Sequence, residues 1–482
     1  MQKKNFYITT TLPYVNSEAH LGHALEFVRA DAIARYKQLQ GFEVFFNTGT
    51  DEHGIKIFNK AKESGVDTQD YVDDYANRFK MLLPKLGMME GINFIRTTDL
   101  GHIASAQAFW QLCDKNGFIY KKKYSAKYCV GCELEKTDSE LVNGRCPDHP
   151  NRELELIDEE NYFFKFSAFQ EKLLQLYSDR PDFVVPATRL NEIKSFVSRG
   201  LSDFSISRLK TKMPWGIEVP GDTDQVMYVW FDALVNYISA VGWPSDMEKF
   251  NKWWPVVQYC GKDNLRQQSA MWQAMLMAAG LPNSEQIIIN GFITGAGGVK
   301  MSKSLGNVVN PLDIISEYGT EALRYFVLRE AHPFEDTSFA PETMKVTFNA
   351  NLANGIGNLT SRVLKMAESY SVLLPNSEIE GILNDELPKE YVEAFNAYKL
   401  NTAMDYIWTL IKDSDAYIQR EQPFKKIKVD KAAAETDVKN LLVELVKIGR
   451  LLKPLLPETA EKVLTAVREG KALTTPLFQR KD

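Results

Sequence analysis

The sequence predicts an α/β fold with a doubly wound parallel sheet, split by an insertion and followed by an all-α bundle. Three observations carry this. Strand and helix signals alternate through the first hundred residues, they break into short pieces around Cys129, Cys132, Cys146 and His149, and long helical patterns dominate from about residue 346. Tyr7 to Leu12 is a β-branched, apolar run that Pro13 ends. A helix follows, with Leu21, Leu25, Val28, Ala32, Tyr36 and Leu39 near a 3.6-residue period, and Gly41 closes it. The second strand, Val44 to Asn47, opens into Thr48-Gly49-Thr50-Asp51-Glu52-His53-Gly54. Repeated strand and helix units build parallel sheets whose ligands sit at the carboxyl ends of the strands. Both histidine-bearing loops, 20–23 and 53, fall at such ends.

The short pieces from 118 to 225 read as an insertion. Strand signals return at 225–230, 256–260 and 286–290, with a helix-like stretch from Ser269 to Ala279 between the last two. That is a second α/β half. After Pro333 the strand signals fade, and Leu441, Leu442, Leu445, Val446, Ile448, Leu451 and Leu452 mark one of the long helices. The expected units are therefore 1–117 and 226–325 for the two halves, 118–225 for the insertion, 326–345 for a connecting stem and 346–482 for the helical part.

Composition narrows the function. The 482 residues are 44% apolar and 25% charged, as in ordinary soluble chains. No apolar run approaches the roughly 18 residues of a membrane helix, and the first residues lack a signal-peptide core, so a cytoplasmic protein away from membranes is expected. The net charge of −6 excludes a globally basic, nucleic-acid-binding surface. Residues 346–482 carry 19 basic and 19 acidic side chains, so the excess acid belongs wholly to the preceding part.

His20-Leu21-Gly22-His23 follows a strand and opens a helix. Two imidazoles at i and i+3 share the first turn, where unpaired N–H groups and the helix dipole favour an anion such as phosphate. Gly22 lets a nucleotide come close to the backbone. Lys300-Met301-Ser302-Lys303-Ser304 follows the glycine-rich stretch Thr294 to Gly298, a loop suited to swing two ammonium groups onto a triphosphate. Taken singly, each pattern also reads as an exposed helix start or a solvated basic loop. Cys129-x2-Cys132 and Cys146-x2-His149, thirteen residues apart, have the ligand set and spacing of a closed structural Zn2+ site, one ion per chain. Cys113 and Cys260 sit in apolar contexts as packing residues.

The histidine pair and the Lys300–Ser304 motif together resemble the two signatures of class I aminoacyl-tRNA synthetases. Thr11-Leu12-Pro13-Tyr14-Val15-Asn16, Thr50-Asp51-Glu52-His53-Gly54, Tyr228-Val229-Trp230-Phe231-Asp232-Ala233 and Gly261-Lys262-Asp263 are similar to the methionyl-tRNA synthetase family. The resemblance runs in order from about residue 6 to 430. It implies a Rossmann-type catalytic domain that activates L-methionine with ATP and Mg2+ to the adenylate plus pyrophosphate, then loads tRNA(Met), initiator included. It also implies that His20 and His23 contact the phosphates, that Lys300 and Lys303 stabilise the transition state, and that Gly261 and Asp263 lie near the ribose. Asp51 would meet the methionine ammonium, with Leu12, Tyr14, Trp230, Ala233 and Tyr237 around the side chain. A zinc knuckle in the insertion agrees with the cysteines. The helical part resembles the family's anticodon-binding bundle, with Asn358, Arg362 and Phe424 at the positions that read the anticodon.

The chain departs from the family in three places. Gln267-Gln268 stands where the family carries Phe-His, which puts Gln268 at the methionine pocket. Leu234 replaces a common proline, and Phe424 a tryptophan. A class I synthetase of altered selectivity and a non-catalytic tRNA-binding paralogue therefore stay open as alternatives. The insertion, about 100 residues and partly committed to zinc, leaves no room for the editing domain of the leucyl, isoleucyl and valyl enzymes. The smaller nucleotidylyltransferases that share the histidine pair explain neither the zinc spacing nor the helical tail. Nothing follows the bundle before Asp482, which leads to the expectation of a monomer.

Overall fold

The computed structural model describes residues 4–131, 134–136, 138–147, 149–299, 301 and 308–482. Its core is a six-stranded, all-parallel sheet in the order Asn93–Arg96, Glu43–Thr50, Asn5–Thr10, Val257–Gly261, Gln286–Asn290, Val184–Val185. The inner strands are rich in Ile, Val, Phe and Tyr and mostly buried, as a sheet covered on both faces requires. From the neighbours Asn5–Thr10 and Val257–Gly261 the next sheet strands in the chain, Glu43–Thr50 and Gln286–Asn290, lie on opposite sides. That is the topological switch point, and the crevice at its carboxyl end is where such sheets bind ligands.

The insertion is built on Ile119–Cys129, which pairs antiparallel with Glu155–Phe164 and with the short strand Leu134–Lys136. Val184–Val185 lies within 118–225 yet pairs with Gln286–Asn290 at the edge of the main sheet, so the insertion is itself interrupted by a return to the core. A dipeptide strand carries too little periodicity to be seen in sequence. The strand expected over 225–230 stops at Met227. Tyr228 turns the chain, its C=O accepting from the Phe231 N–H at 2.9 Å, and Val229–Ala233 is a short helix. An apolar run buried on all sides has no face-to-face contrast, which is why Val229 and Trp230 read as strand.

Beyond the sheet, helices Asn358–Tyr370, Leu400–Glu421, Lys431–Leu452 and Pro457–Glu469 pack through buried stripes that include all seven apolar residues expected between 441 and 452. A fully buried clamp joins them to the sheet domain. Arg324 holds Asp31 at 2.8 Å and donates to the carbonyls of Leu86 and Leu455. Asp31 sits on the helix Leu21–Leu39, from which Arg29 also donates to the carbonyls of Val327, Ala331, His332 and Pro333. Among the described residues, no helix is long and apolar enough to cross a membrane.

Candidate active site

A cavity of about 390 Å³ opens at the switch point. It is lined by Leu12, Tyr14, His20, Gly22, His23, Asp51, Trp230, Ala233, Tyr237, Gly261, Asp263 and Gln268, residues drawn from both halves of the sheet domain. Lys300 and Lys303 fall outside the described residues. Their neighbour Met301 lines the cavity, and the loop before it is anchored where Ile293–Thr294 pairs with Thr337–Ser338.

The histidines form a reciprocal cap. His20 is the N-cap of Leu21–Leu39 rather than a residue of its first turn, and its Nδ1 accepts from the Gly22 N–H at 3.1 Å. The Nδ1 of His23 accepts from the His20 N–H at 3.2 Å, and the two rings stack with centroids 3.8 Å apart. A ring nitrogen that accepts leaves the other to carry the hydrogen, so each Nε2 is a donor. Burial, with His20 beside it, holds the His23 imidazole well below its ordinary pKa, so that ring is uncharged at neutral pH.

The loop after Glu43–Thr50 sends successive side chains in different directions. Asp51 lines the cavity, its backbone hydrogen-bonded to Pro13 and Val15. Glu52 is fully buried and takes both 2.8 Å bonds of a forked contact from Arg96. His53 Nδ1 lies 2.6 Å from Asp232, whose other carboxylate oxygen meets His102 Nε2 at 2.8 Å. Burial alone would raise the Asp232 carboxyl, but the two rings outweigh it and hold the pKa below the ordinary value. Arg96, His102 and Asp232 thus fix the loop that presents Asp51. Sequence reasoning assigned none of them a role, because their partners lie 44 to 179 residues away.

Glu26 was also missed. It lines the cavity on the histidine helix, accepts from the Thr11 N–H at 2.6 Å, and lies close to Asp263 and Gly261. Burial pushes its pKa up to about 8. An acid three residues after His23, on the same helix face, was the available signal. A Cβ at Gly261 would stand 2.8 Å from Asp263 Oδ1 and so displace that carboxylate from its place in the cavity.

At the far wall, Tyr237 is buried and its hydroxyl accepts from Gln268 Nε2 at 2.7 Å. Gln268 lies in a π-helical turn, Gln267–Met271, that leads into helix Trp272–Ala279. Such turns insert one residue and re-aim side chains at functional sites. Leu234 is buried and lines the same cavity.

In the insertion, the ligand atoms of Cys129, Cys146 and His149 lie within 4.8 Å of one another, and both thiols are buried. Cys132 falls outside the described residues. Cys129 Sγ and His149 Nδ1 are 3.8 Å apart, close to the roughly 3.5–3.8 Å that a tetrahedral ion bonded to sulfur and nitrogen imposes. Gly131 makes the arrangement possible, because a Cβ there would come within 2.4 Å of the imidazole. The knuckle reaches the cavity through Lys56, a lining residue whose ammonium donates to the Gly131 carbonyl at 2.8 Å.

On the bundle, Arg362 pairs with Asp415 at 3.0 Å. This ties the start of Asn358–Tyr370 to the last turns of Leu400–Glu421 and brings exposed Asn358 to the end of the bundle that carries Phe424. Phe424 is 41% exposed. Arg420, Lys425, Lys426 and Lys428 surround it, and this basic charge is partly neutralised. Arg420 pairs with Glu421, and Lys426 with Glu421 and Asp437, the last contributed by helix Lys431–Leu452 and invisible to a local charge count.

The profile of the family described as tRNA synthetases class I (M) matches residues 6–155 and 149–364, and that of the anticodon binding domain of methionyl tRNA ligase matches 377–476. A methionine–tRNA ligase from Caldanaerobacter subterraneus subsp. tengcongensis is 40% identical, over 98% of this chain and 75% of its own. One from Thermosynechococcus vestitus is 39% identical, over 95% and 89%. Among solved structures, Mycobacterium tuberculosis methionyl-tRNA synthetase in complex with methionyl-adenylate superposes with a TM-score of 0.89 at 35% identity, covering 96% of this chain and 93% of that one.

Proposed function

The chain belongs to the methionine branch of the class I aminoacyl-tRNA synthetases, and from that premise we propose how its residues divide the work. The reaction is the ATP-dependent joining of methionine to tRNA, through methionyl-adenylate. The observation that carries the reading is the cavity at the switch point, where a stacked histidine pair at a helix start shares one space with Asp51 and an apolar, aromatic wall.

ATP enters with Mg2+ and lays its phosphates along His20, Gly22 and His23. Since His23 is neutral, its ring contributes an N–H donor and not charge. The positive charge that the departing pyrophosphate needs then falls to Lys300 and Lys303, acting only as the bond to the α-phosphate breaks. Gly261 and Asp263, with Glu26 beside them, hold the ribose. Asp51 receives the methionine ammonium, and Leu12, Tyr14, Trp230, Ala233, Tyr237 and Gln268 surround the side chain. The substrate carboxylate is thereby aimed in line at the α-phosphate, which is positioning rather than covalent catalysis.

Cys129, Cys132, Cys146 and His149 hold one Zn2+ as a structural clip. Asn358, Arg362 and Phe424 receive unstacked anticodon bases of tRNA(Met), initiator included, Phe424 by stacking. The proposal includes the division at 117, 225, 325 and 345, and a monomer acting in the cytoplasm. It is tested by ATP–pyrophosphate exchange across a panel of amino acids, with zinc measured in the same preparation. Methionine should give the fastest exchange and zinc one equivalent. Faster exchange with leucine or valine would overturn the reading.

A further inference from the structure

Behind Gln268 lies a buried polar chain. Gln258 Nε2 donates to Gln268 Oε1 at 2.5 Å, Ser284 Oγ donates to Gln258 Oε1 at 2.5 Å, and Gln273 Nε2 donates to Ser284 Oγ at 3.1 Å. All four side chains are buried. Amide oxygens and nitrogens can exchange places in such a chain, but here backbone groups fix its polarity. The Ser284 N–H can only donate, and it meets Gln273 Oε1 at 3.1 Å. The Gln268 carbonyl can only accept, and it meets Gln273 Nε2 at 2.8 Å. Gln273 is therefore set; the Ser284 hydroxyl, taking a hydrogen from Gln273 Nε2, finds in Gln258 Oε1 the acceptor for its own, and each later link follows in one direction. The chain ends on Tyr237, whose oxygen accepts from Gln268 Nε2.

We propose that Gln273, Ser284 and Gln258 are positioning residues that hold Gln268 as a donor, so that the Tyr237 hydroxyl keeps its own hydrogen for the cavity. Held the other way round, Gln268 would present its oxygen and draw that hydrogen away from the cavity. In the amino-acid pocket, a hydroxyl that can only donate favours a side chain with an acceptor atom, the thioether, over a hydrocarbon of equal length. Ser284 and Gln258 line no part of the cavity; Ser284 acts through Gln258, and Gln258 reaches the Tyr237 hydroxyl both through Gln268 and by a hydrogen bond of its own. The departure at Gln268 is thus supported by a matching environment, four polar side chains deep.

This rests on methionine being the substrate. The test is pyrophosphate exchange with methionine and with norleucine. Ser284→Ala should lower the methionine-over-norleucine ratio of kcat/KM about tenfold, the worth of one oriented hydrogen bond. The loss should fall on the KM for methionine, with norleucine kinetics unchanged. Ser284→Thr, which keeps the hydroxyl, should retain the ratio. Gln258→Met breaks the chain one link closer to Tyr237 and should reproduce the loss, which keeps the test decisive where Ser284→Ala does not fold. In a Tyr237→Phe background, Ser284→Ala should leave the ratio unmoved. Equal losses for both amino acids, or an unchanged ratio in folded Ser284→Ala, would overturn the relay. A parent enzyme inactive with methionine but active with another amino acid would instead overturn the functional reading, and the relay's purpose with it.

Discussion

Glu26→Gln isolates the cost of keeping a carboxyl in the nucleotide end of the cavity. Burial lifts the pKa from 4.5 to about 8, so the folded chain binds that proton more tightly than the unfolded chain does. The sign follows: its contribution is complete below about pH 4.5, falls as the pH rises, and is gone above about 8. At about 1.4 kcal/mol per pKa unit, the loss is about 2 kcal/mol by pH 6 and about 4 kcal/mol by pH 7.5. Glutamine keeps an oxygen for the Thr11 N–H but does not titrate. Urea unfolding of both chains without substrates, from pH 5 to 8, should give midpoints that nearly coincide at pH 5. They should then separate steadily, with the variant the more stable. A constant offset across the range would refute the reasoning, because it would mean that Glu26 does not titrate there.

Phe424→Ala should weaken tRNA charging about tenfold in kcat/KM while leaving pyrophosphate exchange nearly intact, since one stacking contact is worth about 1–3 kcal/mol. Equal loss of both would remove Phe424 from the RNA interface. Cys146→Ala should lose the zinc measured by atomic absorption, and should also slow pyrophosphate exchange, because the knuckle touches the cavity through Lys56. Unchanged exchange in a zinc-free protein would uncouple the two. Asp31→Asn should cost about 3–5 kcal/mol in urea unfolding by leaving the Arg324 guanidinium buried without its counter-charge. Lys303→Ala should lower the rate of exchange about 10²-fold or more with little change in the KM for methionine, as expected for a contact made mainly while charge develops.

The elements were legible wherever a pattern is local. The helix after His20 showed its period, the strands at 44, 256 and 286 showed β-branched runs, and the bundle showed its apolar stripes. Most cavity residues were found because each sits at the end of such an element, next to a short motif. What escaped depends on partners far along the chain. Glu26 looks like any charged helix residue until burial beside Gly261 and Asp263 is known. Arg96 and His102 matter only because the fold delivers Glu52 and Asp232 to them. The charge around Phe424 could not be judged locally either, because Asp437 arrives from another helix to pair with Lys426. The glutamine at 268 read as a loss of imidazole, and only the buried chain behind it gives it a direction.

The clamp at Arg324 makes the first half of the helix Leu21–Leu39 a beam, loaded at its start and at its middle. One end carries the stacked histidines, and three turns along, Asp31 bears on the guanidinium that also grips Leu455 in the bundle. Asp31, Arg324 and Leu455 are fully buried and close-packed, which leaves this joint no slack. The end of the bundle at Leu455 and the helix that begins at the two histidines are therefore held at a fixed distance by a single buried side chain.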